Sequence, residues 1–109
     1  MAEDIERSSH IDQLPKIDSL IHAPSRLQVM TYLYVVDSID FVYLKRMTGM
    51  SWGNLSTHLT KLEEAGYISI RKSFQDKKPN TMIELTDEGR EAFRQYKDDM
   101  QQVLGNLPD

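Results

Sequence analysis

The sequence predicts a mainly helical α+β domain that carries one two-stranded hairpin and a long C-terminal helix. Apolar residues recur at spacings of three and four along most of the chain, the period of helices buried on one face. That period falls to two only over Ile68–Ser73 and Thr81–Leu85, on either side of a turn-rich stretch. Gly49, Met50 and Ser51 place a helix stop directly before a helix start.

Taken in order, residues 1–13 are polar and are expected to form a flexible N-terminal segment. Residues 14–104 form one domain, and 105–109 a tail; 109 residues support a single, modest core. Pro15 suits the first turn of a short helix to Ile21, within a dimerisation segment at about 14–22 that presents Ile17, Leu20 and Ile21. Pro24 opens a helix to Val36 with Leu27, Met30, Leu33 and Tyr34 on one stripe. Asp40 caps a helix from Phe41 to Thr48 that turns Phe41, Leu44 and Met47 inward, and Gly49 ends it. Ser51 caps the next helix, Met50 and Leu55 sit at the two ends of a hydrophobic staple, and Gly66 terminates it after Ala65. Its buried stripe is Trp52, Leu55, Leu59 and Leu62. Two helices joined by so short a turn cross steeply, as in a helix-turn-helix. Ile68 and Ile70 then alternate with polar neighbours, Gln75–Asn80 turns, and Ile83 and Leu85 point inward from a second strand, making a hairpin with a basic tip. Thr86 caps the last helix, at about 87–104, with Asp87 and Glu88 at its positive end. The fold class is therefore α+β, mainly helical: a winged helix-turn-helix with a two-stranded wing and a long C-terminal helix.

Charge sorts by position. Residues 1–40 and 81–109 each carry three basic and seven acidic groups, whereas 41–80 carry seven basic and three acidic ones. A basic centre between acidic ends suits a polyanionic partner despite the overall charge of −4. With no cysteine, disulfides and thiolate metal sites are excluded, and a reducing compartment fits. The start MAEDIERSSH is acidic and has no apolar core, so it does not read as a secretory signal, and no apolar run approaches a membrane span. His10, His22 and His58 lie on distant elements without ligand spacing, and no phosphate loop or nucleophile–base motif occurs. The reading is accordingly not an enzyme, with no cofactor and no metal, located in the cytoplasm and without a membrane partner.

Placed at about 100° per residue, the face of helix 51–65 opposite its leucines carries Gly53, Asn54, Thr57 and Lys61. Gly53, Asn54 and Thr57 are the base-reading candidates, with Ser56 and His58 flanking; Asn pairs with adenine, and Thr meets a base edge or the thymine methyl. Lys61 and the amides at the helix start, where Ser51 stands, suit phosphate. Arg71, Lys72, Lys77 and Lys78 equip the wing for backbone or minor-groove contact. Strand alternation sets Arg71 and Lys72 on opposite faces, so one of them faces DNA, while Lys77 and Lys78 hold the tip. Phe93, Tyr96, Met100, Val103 and Leu107 follow a 3-4-3-4 spacing, a seam that predicts a homodimer together with Ile17, Leu20 and Ile21. A dimer spaces two recognition helices about 34 Å apart, one turn of DNA.

The stretches IHAPSRLQVMTYL, DFVYLKRMTGMSWGNLSTHLTKLEEAGYISIRKSF and TMIELTDEGREAF, roughly residues 20–96, resemble the winged-helix transcriptional regulators related to the MarR and ArsR superfamilies, in particular the small prokaryotic group that is little more than the DNA-binding domain. The resemblance implies a dimeric, sequence-specific transcription regulator, with recognition helix 51–65 and wing 72–81 carried over by position. ArsR-type sensors often use Cys ligands, which this chain lacks. MarR-type proteins often bind an anionic aromatic, for which Tyr32, Tyr34, Tyr43 and Arg26 are the candidate lining; whether a small-molecule effector exists is left open. The partners expected are double-stranded DNA and a second copy of the chain. The alternative is a winged-helix protein–protein interaction module without specific DNA binding, separated from the first reading by the salt dependence of DNA affinity.

Overall fold

The computed structural model describes residues 14–105, 107 and 108; the N-terminal segment 1–13, including His10, lies outside the described residues. Among the described residues, four helices and three strands follow in the order α1 (Pro24–Val35), β1 (Ile39–Asp40), α2 (Phe41–Thr48), α3 (Trp52–Glu64), β2 (Ile68–Gln75), β3 (Lys78–Leu85) and α4 (Asp87–Gly105). The strands form one antiparallel sheet in the order β1-β3-β2. Val29, Met30 and Leu33 of α1, Leu44 of α2, Leu55, Leu59 and Leu62 of α3, and Ile83 of β3 meet in the centre of the core.

The helix boundaries follow local chemistry. Pro24 opens α1 at a position where its missing N–H costs nothing. Asp40 accepts from the Tyr43 amide at 3.1 Å and Ser51 from the Asn54 amide at 3.1 Å, so α2 and α3 start at their side-chain caps. Gly49 ends α2 with φ 71°, its amide donating to the Lys45 carbonyl at 2.9 Å. Thr86 does double duty at α4: its hydroxyl accepts from the Gly89 amide at 2.9 Å and donates to the Gly66 carbonyl at 2.5 Å, tying the start of α4 to the end of α3.

Four expectations are corrected. The short helix over 15–21 is absent: residues 15–18 are irregular and 19–21 form a turn. There the Asp18 carboxylate accepts from the amides of Leu20 and Ile21 at 2.9 and 3.1 Å and from the Tyr67 hydroxyl at 2.6 Å, so a side chain satisfies the backbone in place of helix. Burial, with that bond to Asp18, pushes the Tyr67 phenol up to about 12, keeping it a donor. Second, the sheet gains β1, whose Ile39 and Asp40 pair with Ile83 and Met82. Third, the wing is longer and its turn tighter than expected: Gln75 pairs directly with Lys78, leaving only Asp76 and Lys77, at φ 51° and 67°, in the turn. Pro79 fits inside β3 because the residues flanking a two-residue turn form the hydrogen-bonded pair, so Pro79, opposite Phe74, points its ring nitrogen away from β2, and β1 does not reach that far. Fourth, Met47 and Trp52 leave the inner stripes, at 38% and 56% exposure. Trp52 stacks instead on Phe41, with ring centroids 5.2 Å apart and 7° between planes.

Candidate nucleic-acid interface

The site is built on α3 and the hairpin that follows it. The leucines of α3 pin one side of the helix to the core, which turns Gly53, Asn54, Ser56, Thr57, Thr60 and Lys61 outward, all exposed. Space beside Gly53 is open, so a partner's surface can approach the backbone at the helix start. The Thr57 hydroxyl donates to the Gly53 carbonyl at 2.9 Å, which leaves its methyl and its oxygen lone pairs to face outward. Ser51 is exposed, but its hydroxyl oxygen is occupied in capping α3.

His58 departs from its expected place on the flank of the outer face. It is half-buried, and its Nδ1 accepts from Arg26 Nη1 at 3.2 Å, while Arg26 Nε donates to the Leu20 carbonyl at 2.5 Å. Burial first, then the positive charges of Arg26 and Lys61, hold the His58 imidazole below its ordinary 6.5, so it is neutral at neutral pH. His58 thus braces α3 against α1 and the preceding turn. The reason lies in the wheel: a residue one position before Leu59 sits at the margin of the buried stripe, and only the presence of Arg26 decides which way it turns.

The hairpin projects beyond the core. Ile68 is buried, Ile70 half-buried, and residues 71–79 are all exposed. Alternation separates Arg71 from Lys72 as expected. Arg71 lies 3.7 Å from the Glu84 carboxylate on one face. Lys72 lies on the other, where it and Thr81 line a cleft of about 690 Å³ shared with Trp52, Ser56 and Thr60 of α3. Lys72 therefore faces the flank of α3 that carries Ser56, Thr60 and Glu63, and Arg71 does not. Lys77 and Lys78 stand at the tip.

Two residues escape the sequence reading. Trp52, assigned to the buried stripe, stands exposed at the first turn of α3, and the Lys45 ammonium lies 5.2 Å from its ring centroid. Lys45 belongs to the basic centre of the chain, which is the signal that could have found it.

The dimer candidates divide. Ile21 is fully buried and Tyr96 is 6% exposed, with its hydroxyl hydrogen-bonded to His22 Nδ1 at 2.9 Å; both belong to the chain's own core, a correction to the expected seam. The cause is that residues 14–22 lie across α4 without forming a helix of their own. Ile17, Leu20, Phe93 and Met100 are partly buried against the same core, Val103 is half-buried, and Leu107 is 63% exposed. Beside them Leu104 is 58% exposed and borders an almost wholly apolar groove of about 530 Å³ with Phe93 and Met100. The four residues considered for an effector have separate surroundings: Tyr34 packs on Phe93 and under Arg90, the Tyr32 hydroxyl reaches the Met47 carbonyl, Tyr43 is exposed, and Arg26 holds His58. Among the described residues no group of His, Cys, Asp or Glu is arranged to hold a metal ion, and no helix is long and apolar enough to cross a membrane.

Comparison with known proteins places this geometry. A family model described as a winged helix DNA-binding domain matches residues 25–104. An uncharacterised protein of Methanocaldococcus jannaschii is 35% identical over 82 residues, which are 75% of this chain and 89% of that protein. An uncharacterised helix-turn-helix-type transcriptional regulator of Bacillus subtilis is 32% identical over 87 residues, 76% of this chain but only about half (52%) of that longer protein. Among solved structures, a transcriptional regulator homologue from Pyrococcus horikoshii superposes with a TM-score of 0.79 at 25% identity, covering 91% of this chain and 99% of its own. MarR-family regulators are among the further structural neighbours. At 22% identity and a TM-score of 0.66, AbfR in its DNA-bound form shares the fold alone.

Proposed function

The chain belongs to the winged helix DNA-binding domain family, and from that membership we propose that it is a sequence-specific transcriptional regulator that occupies its operator as a homodimer. One observation carries the proposal: α3, capped by Ser51 and pinned by its leucines, turns Asn54, Thr57 and Lys61 to solvent, and the projecting hairpin that follows it faces a flank of the same helix across a cleft lined by Lys72, Ser56, Thr60 and Glu63. In this reading α3 enters the major groove, Asn54 and Thr57 read base edges, and Lys61, Lys72, Lys77 and Lys78 meet phosphates or the minor groove. Lys45 and Trp52 join the interface from the α2–α3 corner. The structural neighbours, among them a MarR-family transcriptional regulator and AbfR bound to DNA, support duplex DNA as the partner. The whole chain works in the cytoplasm, and the reading involves no enzymatic step.

Trp52 is the only tryptophan and stands exposed at the start of α3, so its fluorescence follows binding directly. Titration with the protein's own upstream duplex and with random duplex, each at two salt concentrations, is expected to show tighter binding to the former and weakening of both as salt rises. Equal affinity for both duplexes would remove sequence specificity from the reading; absence of binding to either would leave a protein-interaction module. Asn54→Ala or Thr57→Ala is expected to cost about 1–3 kcal/mol on the preferred duplex and far less on random duplex, since base contacts act only where the right base is present.

The dimer reading rests on the apolar side of α4, where Phe93, Met100 and Leu104 border one groove and Leu107 continues the exposed apolar surface. Sedimentation is expected to give a dimer for the parent chain and a monomer for Leu104→Glu, because a carboxylate pressed between two apolar faces loses its hydration. A Leu104→Glu variant that still sediments as a dimer would place the interface elsewhere.

A further inference from the structure

Among the described residues Phe74 is the most exposed large apolar one, at 77%. It stands on β2 two residues before the Asp76-Lys77 turn, directly across from Pro79. On a strand, residues two apart share a face. Ile68 and Ile70 point to the core side of the hairpin, so Lys72 and Phe74 continue that same side outward. Lys72 lines the cleft with α3, which places Phe74 on the α3 side of the wing, farther out. The hairpin that carries it is paired residue by residue from Ile68–Leu85 to Gln75–Lys78, so the ring sits on a stiff support.

We infer that Phe74 is an apolar wedge that enters the minor groove beside the major groove occupied by α3, partly unstacks a base step there and bends the duplex. This rests on the reading that the chain binds duplex DNA and adds a deformation to it. The choice of DNA as the occupant follows from charge. Lys72 shares the face of Phe74 and Lys77 stands in the turn just beyond it, while Lys78 and Arg71 belong to the far face, where Arg71 is paired with Glu84; the carboxylates on this side are Asp76 in the turn and Glu63 across the cleft. An exposed aromatic between Lys72 and Lys77 on an exposed hairpin fits a partner that is anionic outside and apolar between its stacked layers. Minor-groove proteins use apolar side chains in this way, kinking the duplex by roughly 20–90°. Pro79 across the strand supplies a second rigid apolar surface, against which the opened step can rest.

The test uses the full chain and the upstream duplex, labelled at both ends for energy transfer and carrying 2-aminopurine in the flanking minor-groove segment. On binding, the parent is expected to bring the ends together and to raise 2-aminopurine fluorescence, the signature of unstacking. Phe74→Ala is expected to lose more than half of both changes and roughly tenfold in affinity, while its salt slope stays that of the parent because the lysines remain. Phe74→Leu, still an apolar wedge, is expected to keep most of the bend. Because the side chain is exposed, the alanine variant is expected to melt with the parent, so a diminished bend reflects the interface and not the fold. An alanine variant that bends and unstacks DNA as the parent does would overturn the wedge. So would a parent that binds the duplex without bending it, and in that case the regulator reading stands. A parent that binds no duplex overturns both. An alanine variant that no longer dimerises assigns Phe74 to a protein contact and also overturns the wedge.

Discussion

Gly89→Ala lowers the thermal midpoint by roughly 10–20 °C, followed by circular dichroism. Helix propensity alone argues the reverse, since alanine is better than glycine inside a helix by about 1 kcal/mol. The tertiary contact reverses the sign. A Cβ on Gly89 would stand 1.9 Å from the carbonyl oxygen of Tyr67, 2.7 Å from its carbonyl carbon and 2.9 Å from its Cα. These are backbone atoms, so no rotamer change relieves the overlap. Nor is Tyr67 free to retreat. Its amide donates to Leu62 at 3.0 Å, its carbonyl accepts from Thr86 at 3.1 Å, and its hydroxyl is held by Asp18. To admit the methyl, the start of α4 must lift away from the end of α3 and give up the Thr86 bonds to Gly66 and Gly89. An overpacked site of this kind costs about 3 kcal/mol, and a domain of this size shifts by roughly 4–8 °C for each. Gly53→Ala is the control: nothing lies within 4 Å of its added methyl, so the variant melts at or slightly above the parent midpoint. A Gly89→Ala protein that melts with the parent would mean that α4 does not press on Tyr67 as described.

The second large effect concerns binding. The double substitution Lys77→Ala, Lys78→Ala weakens binding to every duplex, preferred and random alike. Each phosphate that a lysine no longer neutralises reduces the slope of log affinity against log salt by about 0.9. Two lysines per wing thus remove nearly two from the slope for each wing engaged, which at about 0.15 M salt is roughly a thirtyfold drop in affinity. The turn itself survives. Lys77 already occupies φ 67°, and alanine there carries the same Cβ, so no new strain enters. The effect separates cleanly from that of Asn54→Ala, which changes preference among sequences and leaves the salt slope near that of the parent. If the double variant keeps both the affinity and the slope of the parent, the wing tip does not touch the phosphates, and the lysines serve only to keep an exposed hairpin solvated.

Where α2, α3 and α4 start, and where α2 and α3 stop, is legible from residue types alone. Asp40, Ser51 and Thr86 cap α2, α3 and α4, and Gly49 and Gly66 adopt positive φ after α2 and α3. Each of these is settled within three or four residues of sequence, the range over which a side chain reaches its own backbone. The leucine stripe of α3 is equally plain, and with it the outward face of Asn54, Thr57 and Lys61, because one helix face follows from the other. The split of Arg71 and Lys72 to opposite faces follows from the strand period.

What escapes the sequence depends on partners far along the chain. The two residues of β1 are too few to show a period, and only Ile83 and Met82 of β3 make them a strand. Asp18 reads as a residue of a short helix until Tyr67, 49 positions away, meets its carboxylate. Tyr96 fits a dimer seam by spacing, yet it is buried beside His22. His58 is turned inward by Arg26, and Trp52 outward against Phe41 and Lys45. Local capping and periodicity are free energies of neighbours in sequence, so the sequence alone carries them. The direction of a marginal side chain is a difference between two nearly equal surroundings, and only the packed molecule supplies the neighbour that tips it.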